Sequence, residues 1–393
     1  MENGRKPCYN DIIIRNISQK YDAFGRKQIR LGERSHMRTF DYEKLAERTW
    51  DAEILSYVSK IHEYKGKQEL FLRQKPIELE RLIEIAKIQS TEASNRIEGI
   101  VTTNSRLKQL VGEKTTPRNR AEEEILGYRN VLALVHENYE AIPIRSSYIL
   151  QLHGEMLKYT GYTYGGKFKT TPNEIVQLSG NGEREVLFKS MEPYETPEAI
   201  EKICESYQRA LDREAIDELI LIPCFVLDFI CIHPFNDGNG RMSRLLTLLL
   251  LYRSGYLVGQ YISVEKVIAD TKEAYYDALR KSDYGWYEAE NDPAPFIKYM
   301  LAVILFCYRD FEARLTVAEK TGARSTAYDI VKAYVAGRVG KFTKQDALIS
   351  CPSLGSSSVE AALKKLVEDG TLRRLGAGRK TMYVRADFES KKY

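Results

Sequence analysis

Cysteine and histidine are scarce in this sequence. Its 393 residues include six cysteines and five histidines. The cysteines form no CxxC pair, and no two histidines stand in an HxxxH or HExxH pattern. Zinc sites and disulfide frameworks depend on such spacing. We therefore expect reduced, buried cysteines and no permanent transition-metal site.

Long apolar runs are also missing. The two most apolar stretches, 219–232 and 245–252, are shorter than the ~20 residues that a membrane-spanning helix needs. The first of them also contains Pro223 and Asp228. The first residues, MENGRKPCYNDIII, lack the apolar segment and cleavage site of a secretory signal. We therefore expect a cytoplasmic protein without a membrane partner.

The chain carries little net charge, +4 at pH 7, but this charge is unevenly distributed. Residues 321–393 contain 14 lysines and arginines against seven aspartates and glutamates, which gives this tail a charge of +7. The preceding residues, 1–320, carry −3. A basic segment attached to an acidic body indicates a separate module, and DNA is one candidate partner for it.

Most of the sequence has the apolar spacing of helices. The pattern predicts helices at 42–62, 76–93, 120–137, 144–158, 196–211, 215–232, 240–254, 264–282 and 293–317. Two short strand-like runs, 173–178 and 183–190, flank the turn sequence Ser-Gly-Asn-Gly and predict a β-hairpin. The predicted fold class is therefore mainly α, with one hairpin on a helical body.

The C-terminal segment 325–393 has a different pattern. It predicts helices at 325–337, 343–350 and 356–369, followed by strands at 371–375 and 381–385. Three helices followed by a hairpin resemble a winged helix-turn-helix (α+β) domain. Winged helices bind either DNA or protein, so both kinds of partner stay open for this segment.

The stretch with the clearest chemistry, residues 233–244, is His-Pro-Phe-Asn-Asp-Gly-Asn-Gly-Arg-Met-Ser-Arg. Pro234 favours a non-helical His233 at the end of one apolar helix. Gly238 and Gly240 allow the backbone to approach a ligand. The next helix begins here, and its free N–H groups can hold an anion such as a phosphate. This segment is therefore a candidate nucleotide-phosphate site.

Charged side chains in the same stretch fit such a ligand. Asp237 offers a hard oxygen suited to Mg²⁺ that is shared with phosphates. Arg241 and Arg244 are i, i+3 neighbours on the first turns of the helix, where cations are unfavourable unless an anion offsets them. A candidate base, an anion cradle, a metal ligand and two cations thus lie within one short segment.

This stretch resembles the signature of the Fic family, His-Pro-Phe-x-(Asp/Glu)-Gly-Asn-Gly-Arg-x-x-Arg, at every specified position. The resemblance implies a Fic-type helical bundle with a β-hairpin flap. It also implies a protein adenylyltransferase that transfers AMP from ATP to a Ser, Thr or Tyr hydroxyl of a protein. In that scheme His233 is the general base and Asp237 holds Mg²⁺. The phosphates are bound by Gly238, Asn239, Gly240, Arg241 and Arg244.

A second motif lies upstream, where residues 94–99 are Ser-Asn-Arg-Ile-Glu-Gly. Ser94 and Glu98 share one helical face, and Gly99 can end the helix. The string resembles the inhibitory motif of Fic proteins, (Ser/Thr)-x-x-x-Glu-(Gly/Asn). The resemblance implies that Glu98 pairs with Arg244 and keeps the γ-phosphate from its productive position.

The hairpin corresponds to the target-binding flap of the same family, which pairs with a target segment by adding a strand. The resemblance assigns Lys169, Asn173 and Ile175 to this flap, although many relatives carry arginine at the position of Lys169. Four downstream aromatic residues are candidates for stacking on adenine, although such residues are more often core or rim residues. They are Tyr275, Tyr276, Trp286 and Tyr287.

These interpretations divide the chain into three parts. An N-terminal helical region covers 1–75, a Fic catalytic core covers 76–317, and a winged-helix-like domain covers 325–393. Within the core, the inhibitory helix lies near 89–99 and the flap near 165–190.

Two other functions stay open. A Fic-fold enzyme can transfer another phosphate-containing group, or it can remove AMP with the help of the inhibitory glutamate. Alternatively, the chain is a winged-helix transcriptional regulator with a nucleotide-sensing Fic domain. The expected ligands are ATP and Mg²⁺. The expected partners are an unidentified target protein or the chain itself, with DNA binding and homo-oligomer formation left open.

Overall fold

The computed structural model describes residues 38–74, 76–113, 115–178, 184–214, 216–320, 326–336, 341–351, 354–376, 378 and 381–386. The described chain is mainly helical, which confirms the predicted fold class. The first 37 residues of the predicted N-terminal region and the predicted turn at 179–182 lie outside the described residues. None of the described helices combines the length and apolar character that a membrane crossing requires.

Among the described residues, five α-helices precede the hairpin. They are α1 (Ala52–Gln74), α2 (Pro76–Ile97), α3 (Asn104–Val111), α4 (Arg120–Asn138) and α5 (Ser146–Leu157). Helix α2 begins at Pro76, where the missing N–H costs nothing. It ends before Gly99, whose positive φ of 79° suits glycine. Helix α3 was not predicted, because its eight residues are too short to show a clear period.

The described part of the N-terminal region shares the hydrophobic core of the body. Ile54 and Ile61 on α1 are fully buried in the same cluster as the central helices. A 3-10 helix, Tyr42–Glu47, precedes α1, and Tyr42 and Leu45 are also buried there. The boundary predicted at residue 75 therefore falls inside one continuous core.

The predicted hairpin consists of β1 (Glu174–Leu178) and β2 (Arg184–Lys189), which pair antiparallel. Six helices follow: α6 (Thr196–Asp212), α7 (Glu218–Ile232), α8 (Asn239–Arg253), α9 (Val264–Asp270), α10 (Lys272–Asp283) and α11 (Ala294–Lys320). Helices α7 and α8 are buried on nearly every side because other helices surround them. The segment that joins α7 to α8 is the signature stretch, which the fold thus places at the ends of two central helices.

The single helix predicted at 264–282 is in fact two helices that meet at Thr271. The hydroxyl of Thr271 donates to the carbonyl of Val267 at 2.7 Å, and its backbone leaves the helical region with φ −118° and ψ 32°. A threonine hydroxyl that bonds to the backbone in this way competes with helix continuation.

The C-terminal segment has its own small core. Its elements are α12 (Ala327–Ala336), α13 (Lys344–Ser350), α14 (Ser356–Glu368), β3 (Leu372–Leu375) and β4 (Met382–Arg385). Strands β3 and β4 pair antiparallel, and Phe342 forms a β-bridge with Tyr383. The order of three helices and a hairpin agrees with the predicted elements, while the winged-helix assignment stays a prediction.

The five cysteines that the structure describes are buried free thiols. Burial raises the pKa of each described thiol, for example that of Cys204 to about 12. A thiol with a raised pKa is a poor nucleophile. The expectation of reduced, buried cysteines is therefore confirmed for the described residues.

Candidate active site

His233 stands where α7 ends. Its backbone is in the left-handed region, with φ 54° and ψ 63°, although it is not glycine. Its N–H still donates to the carbonyl of Phe229 at 3.0 Å, and Pro234 then prevents a further helical turn. Strained backbone of this kind is concentrated at functional sites. The turn directs the chain from α7 into the signature loop, residues 233–238.

The imidazole of His233 is buried and neutral. Nδ1 lies 3.2 Å from the carbonyl oxygen of Ile230, and a carbonyl only accepts, so Nδ1 carries the proton. No described residue makes a hydrogen bond to Nε2. Burial, followed by the charge of Lys169, lowers the pKa of His233 to about 4. At neutral pH, His233 therefore presents an unprotonated nitrogen that can accept a proton.

The signature loop is closed by the side chain of Asn239, the first residue of α8. Oδ1 of Asn239 accepts from the backbone N–H of Phe235 at 2.9 Å, and Nδ2 donates to the carbonyl of the same residue at 2.7 Å. Gly238 has φ 85°, and a Cβ there would lie 2.6 Å from Cε of Met156. Only glycine fits this position without moving its neighbour. The side chain of Asn239 thus shapes the loop, and its backbone opens α8.

His153 on α5 supports the loop from outside it. Its ring stacks on Phe235 with centroids 3.7 Å apart and planes 8° from parallel. Nδ1 accepts from the N–H of Gly166 at 3.0 Å, so Nε2 carries the proton and donates to the carbonyl of Asp237 at 3.0 Å. Burial lowers the pKa of His153 to about 4. His153 therefore holds the loop just where the candidate metal ligand stands.

The role of His153 was not predicted from the sequence. It lies in a predicted amphipathic helix, and 84 positions separate it from Asp237. The one signal available was a polar side chain on the apolar face of that helix. Such a signal is weak by itself, because a buried histidine is often only a satisfied core residue.

Arg241 is completely buried on the first turn of α8. Nη1 lies 2.8 Å from Oε2 of Glu124, and Nη2 lies 3.6 Å from Oδ1 of Asp237. Even so, no described residue accepts a hydrogen bond from any nitrogen of its guanidinium group. Buried donors without acceptors are costly unless a ligand supplies the acceptor. The site of Arg241 therefore fits a phosphate, whose oxygens accept only.

Arg244 is bonded to the end of α2. Nε donates to Oγ of Ser94 at 2.9 Å, and Nη2 donates to the carbonyl of Ser94 at 2.9 Å. Nη2 also donates to Oε1 of Glu98 at 2.8 Å. The two motifs found in the sequence are therefore in direct contact through one arginine and one carboxylate.

The carboxylate of Glu98 also covers the start of α8. A Cβ on Gly240 would collide with Oε1 of Glu98 and would lie 3.3 Å from Nη1 of Arg244. An anion at a helix N-terminus is favoured by the free N–H groups and the positive end of the dipole. Glu98 thus occupies the kind of position that a phosphate would take.

Two residues assigned to target binding are not on the surface. Lys169 and Asn173 are only 2% and 1% exposed. The ammonium group of Lys169 donates to the carbonyl of Ile232 at 2.9 Å, and Nδ2 of Asn173 donates to the carbonyl of Phe235 at 2.9 Å. Both residues precede β1 and lie under the hairpin, so they contact the signature loop instead of a target. Ile175 lies in β1, opposite Phe188 in β2.

The four candidate adenine-stacking residues fall into two groups. The charges of Arg244 and Glu98 both act on the hydroxyl groups of Tyr275 and Tyr276, which lie on α10. Trp286 is buried and donates to Asp228 at 2.7 Å, and the hydroxyl of Tyr287 donates to a flap carbonyl at 2.8 Å. Of the four residues, only Tyr275 and Tyr276 therefore lie near the contact between Glu98 and Arg244.

Comparison with known proteins shows several similarities. Residues 143–251 match the family model described as Fic/DOC family. A protein adenylyltransferase Fic of Nematostella vectensis is 26% identical over 234 residues, which cover 56% of this chain and 48% of that protein. The chain thus spans about half of the length of this relative. A Fido domain-containing protein of Dictyostelium discoideum is 29% identical over 145 residues, which cover 36% of this chain and 96% of that protein.

Two solved structures share the fold. A Fic family protein from Desulfovibrio desulfuricans G20 has a TM-score of 0.56 at 19% identity and covers 88% of this chain and 99% of its own. A Fic domain-containing signaling protein from Bacteroides thetaiotaomicron has a TM-score of 0.55 at 24% identity and covers 64% of this chain and 94% of its own. At such identities the likeness is one of fold.

Proposed function

We propose that this chain, whose residues 143–251 match the model of the Fic/DOC family, is a self-inhibited protein adenylyltransferase. Its reaction transfers AMP from ATP to a Ser, Thr or Tyr hydroxyl of a target protein or of the chain itself. The observation that carries this proposal is that the signature stretch combines a buried, unprotonated Nε2 on His233 with the buried guanidinium of Arg241, which has an ion-pair partner in Glu124 but no aligned hydrogen bond. One group is suited to take a proton, and the other is suited to hold a phosphate.

His233 acts as the general base. The hydroxyl of the target attacks the α-phosphorus of ATP, and its proton moves to Nε2 of His233. The bond between the α-phosphorus and the bridging oxygen breaks, and pyrophosphate leaves. An imidazole that is neutral at the working pH and has one free nitrogen meets the requirements of this step. The Nδ1–H bond to Ile230 keeps that nitrogen free.

The phosphates lie at the start of α8. Its first N–H groups and Arg241 stabilise the charge that develops on the transferred and leaving groups. Asp237, whose side chain is 37% exposed beside Arg241, would hold Mg²⁺, which when bound neutralises charge on the α- and β-phosphates. When Mg²⁺ also binds substrate phosphates, the protein usually supplies only one or two carboxylate ligands.

Glu98 inhibits the enzyme by competing for the same place. While Glu98 accepts from Arg244 and covers Gly240, a triphosphate cannot bind Arg241 and Arg244 at the same time. The inhibition is reversible because the side chain of Glu98 is 29% exposed, in contrast to 3% for that of Arg244. A nucleotide can therefore displace the carboxylate without opening the core.

The test uses the full chain, radioactive ATP, Mg²⁺ and a cell lysate. Glu98→Ala should label itself or a target more strongly than the unmodified chain. Glu92→Ala is the matched control, since Glu92 lies on the same helix and contacts only Arg96 among the ion pairs described. Labelling that is equal in the Glu98→Ala and Glu92→Ala proteins contradicts the proposed inhibition.

Mass spectrometry of the labelled product decides between the alternatives. An adduct with the mass of AMP supports adenylyl transfer, and any other phosphate-containing adduct supports a different donor. If the unmodified chain removes AMP from a labelled protein and Glu98→Ala does not, the chain is a de-AMPylating enzyme. If no transfer occurs while ATP still binds, the nucleotide-sensing regulator becomes the better description.

The C-terminal segment gives a second candidate function, which is binding to duplex DNA. Helix α14 and strand β3 expose cations in the order expected of a recognition helix and a wing, namely Lys364, Lys365, Arg373 and Arg374. We expect fluorescence anisotropy with a DNA duplex to show affinity that falls steeply with salt. Arg373→Ala/Arg374→Ala should weaken it, whereas Arg280→Ala/Lys281→Ala on the exposed side of α10 should not. Equal affinity of the two double variants contradicts DNA binding at this surface.

A further inference from the structure

Lys169 is a buried lysine whose hydrogen bonds go to uncharged groups. Its ammonium group donates to Oγ of Ser190 and to the carbonyl of Ile232, each at 2.9 Å. Buried lysines are rare unless a carboxylate pairs with them. Glu192 acts on Lys169 electrostatically, but both hydrogen-bond acceptors are neutral. Such an arrangement costs stability, so it calls for a functional reason.

The bonds around Lys169 join the flap to the signature loop. Ser190, which directly follows β2, donates to the carbonyl of Asn173 at 2.8 Å. Asn173, which directly precedes β1, donates to the carbonyl of Phe235 at 2.9 Å. The backbone N–H of Lys169 donates to the carbonyl of Pro234 at 2.8 Å. Both ends of the hairpin are therefore bonded to backbone on either side of the imidazole.

We propose that Lys169 is a positioning residue for His233, which ties the flap stem to the loop of the base and places a positive charge next to the imidazole. The inference rests on the proposed function, since it assigns Lys169 a role through the proposed base. Because the same bonds hold the flap, the strand that would meet a target and the base that would activate its hydroxyl move together.

The electrostatic part follows from the charges that face His233. These are Lys169, which opposes protonation of the imidazole, and Asp237 in the loop, which favours it. Burial lowers the pKa of Lys169 to about 7. Well below that pH Lys169 is a cation, so it carries its charge in the range near pH 4 where His233 takes up a proton. A second cation on His233 is therefore disfavoured, and the base stays available at lower pH.

The direct test is an NMR titration of the histidine rings in the full chain. The sequence has only five histidines, and His233→Ala identifies the signal of His233 by its loss. Lys169→Met keeps the length of the side chain but removes the charge and the donors. Lys167→Met is the matched control, because Lys167 is exposed two positions earlier. This measurement needs no transfer activity.

We expect the midpoint of His233 to rise by about one pH unit in Lys169→Met, as for a nearby charge at an effective dielectric constant of about 20. We expect no shift in Lys167→Met. An unchanged midpoint in Lys169→Met overturns the proposal, and an equal shift in both variants overturns it too. A purely structural role for Lys169 would change stability but not this midpoint.

A second measurement uses labelling by ATP in the Glu98→Ala background. Lys169→Met should lower the maximal labelling rate at least about 10-fold, the scale of a misplaced base, with an unchanged KM for ATP. Lys169→Arg should recover most of the rate, since it restores a cation and donors. If Lys169→Met does not fold, Ser190→Ala replaces it and should lower the rate in the same way without moving the His233 midpoint.

The two proposals fail in different ways. If Glu98→Ala itself never labels anything, the proposed function fails, while the titration still tests Lys169. If Glu98→Ala labels and Lys169→Met labels equally fast with an unshifted midpoint, only the role of Lys169 is refuted.

Discussion

The signature loop and the end of the inhibitory helix meet at α8, but they are held in different ways. The loop is fixed by hydrogen bonds from Asn239 at the start of α8, from His153 on α5 and from Asn173 in the flap stem. The end of α2 is held through Arg244, in part by the partly exposed carboxylate of Glu98. The loop therefore has the contacts of a permanent structure, whereas the Glu98 contact can be exchanged for a ligand.

This difference separates the proposed catalysis from its control. Residues that must be in place for every turnover, such as His233, are held by hydrogen bonds to backbone groups. A bound nucleotide does not compete for these bonds. Glu98 instead uses the interaction that a phosphate would use, so the substrate itself competes with the inhibitor. The following predictions test this separation, beginning with the largest effect.

Loss of the base should abolish transfer and leave nucleotide binding intact. We expect His233→Ala to lower the labelling rate in the Glu98→Ala background by about 10²- to 10⁴-fold, the usual contribution of a positioned general base. ATP affinity, measured by calorimetry, should stay within about 2-fold, because Nε2 is not a phosphate ligand. His62→Ala is the control, since His62 pairs with Asp217 on the surface. Undiminished labelling by His233→Ala would refute its assignment as the base.

Loss of the inhibitory carboxylate should have the next largest effect, in the opposite direction. A hydrogen bond between charged groups contributes about 1.5–3 kcal/mol, which corresponds to roughly 10- to 100-fold in an equilibrium. We expect Glu98→Ala to raise labelling at subsaturating ATP by that factor. Glu98→Gln, which keeps the size but not the charge, should fall between Ala and Glu. A Glu98→Gln protein as active as Glu98→Ala would mean that charge alone sets the inhibition.

The site residues that lie together in the signature stretch were predictable from the sequence. The residues that support this stretch from other helices were not. His233, Asp237, Arg241 and Arg244 stand in one short motif, so local sequence sufficed to group them. Glu98 was predictable because a second motif accompanied the first. Its contact with Arg244 spans 146 positions, and spacing alone could not have found it.

The supports depend on packing between distant segments. Glu124 and His153 meet the signature loop from α4 and α5, and their helices look like ordinary amphipathic helices in the sequence. Lys169 and Asn173 were assigned to a target-binding flap by the family resemblance. The stem of this hairpin is buried instead, since its polar groups find acceptors in the loop.

The support given by His153 can be measured as stability. His153→Phe keeps a flat ring against Phe235 but leaves the N–H of Gly166 and the carbonyl of Asp237 without their partner. Unsatisfied buried groups cost about 1–3 kcal/mol each, so with two such groups we expect the free energy of unfolding to fall by at least about 2 kcal/mol. Urea denaturation checks this, with His62→Phe on the exposed face of α1 as control. An unchanged free energy would mean that the loop holds without α5.

The smallest effect is the pH dependence that this one histidine contributes. Burial lowers the pKa of His153 to about 4, so the unfolded chain, with an ordinary histidine pKa of about 6.5, binds its proton first. Stability is therefore complete above pH 6.5 and is lost as pH falls toward 4, by up to about 1.4 kcal/mol per pH unit. His153→Phe should reduce the slope of unfolding free energy against pH by that amount relative to the unmodified chain. Because His136 and His233 are also buried with lowered pKa values, a slope should persist in His153→Phe. A slope in His153→Phe that equals that of the unmodified chain would place the proton-sensitive step of unfolding outside the loop support, and a slope that disappears would make His153 its only source.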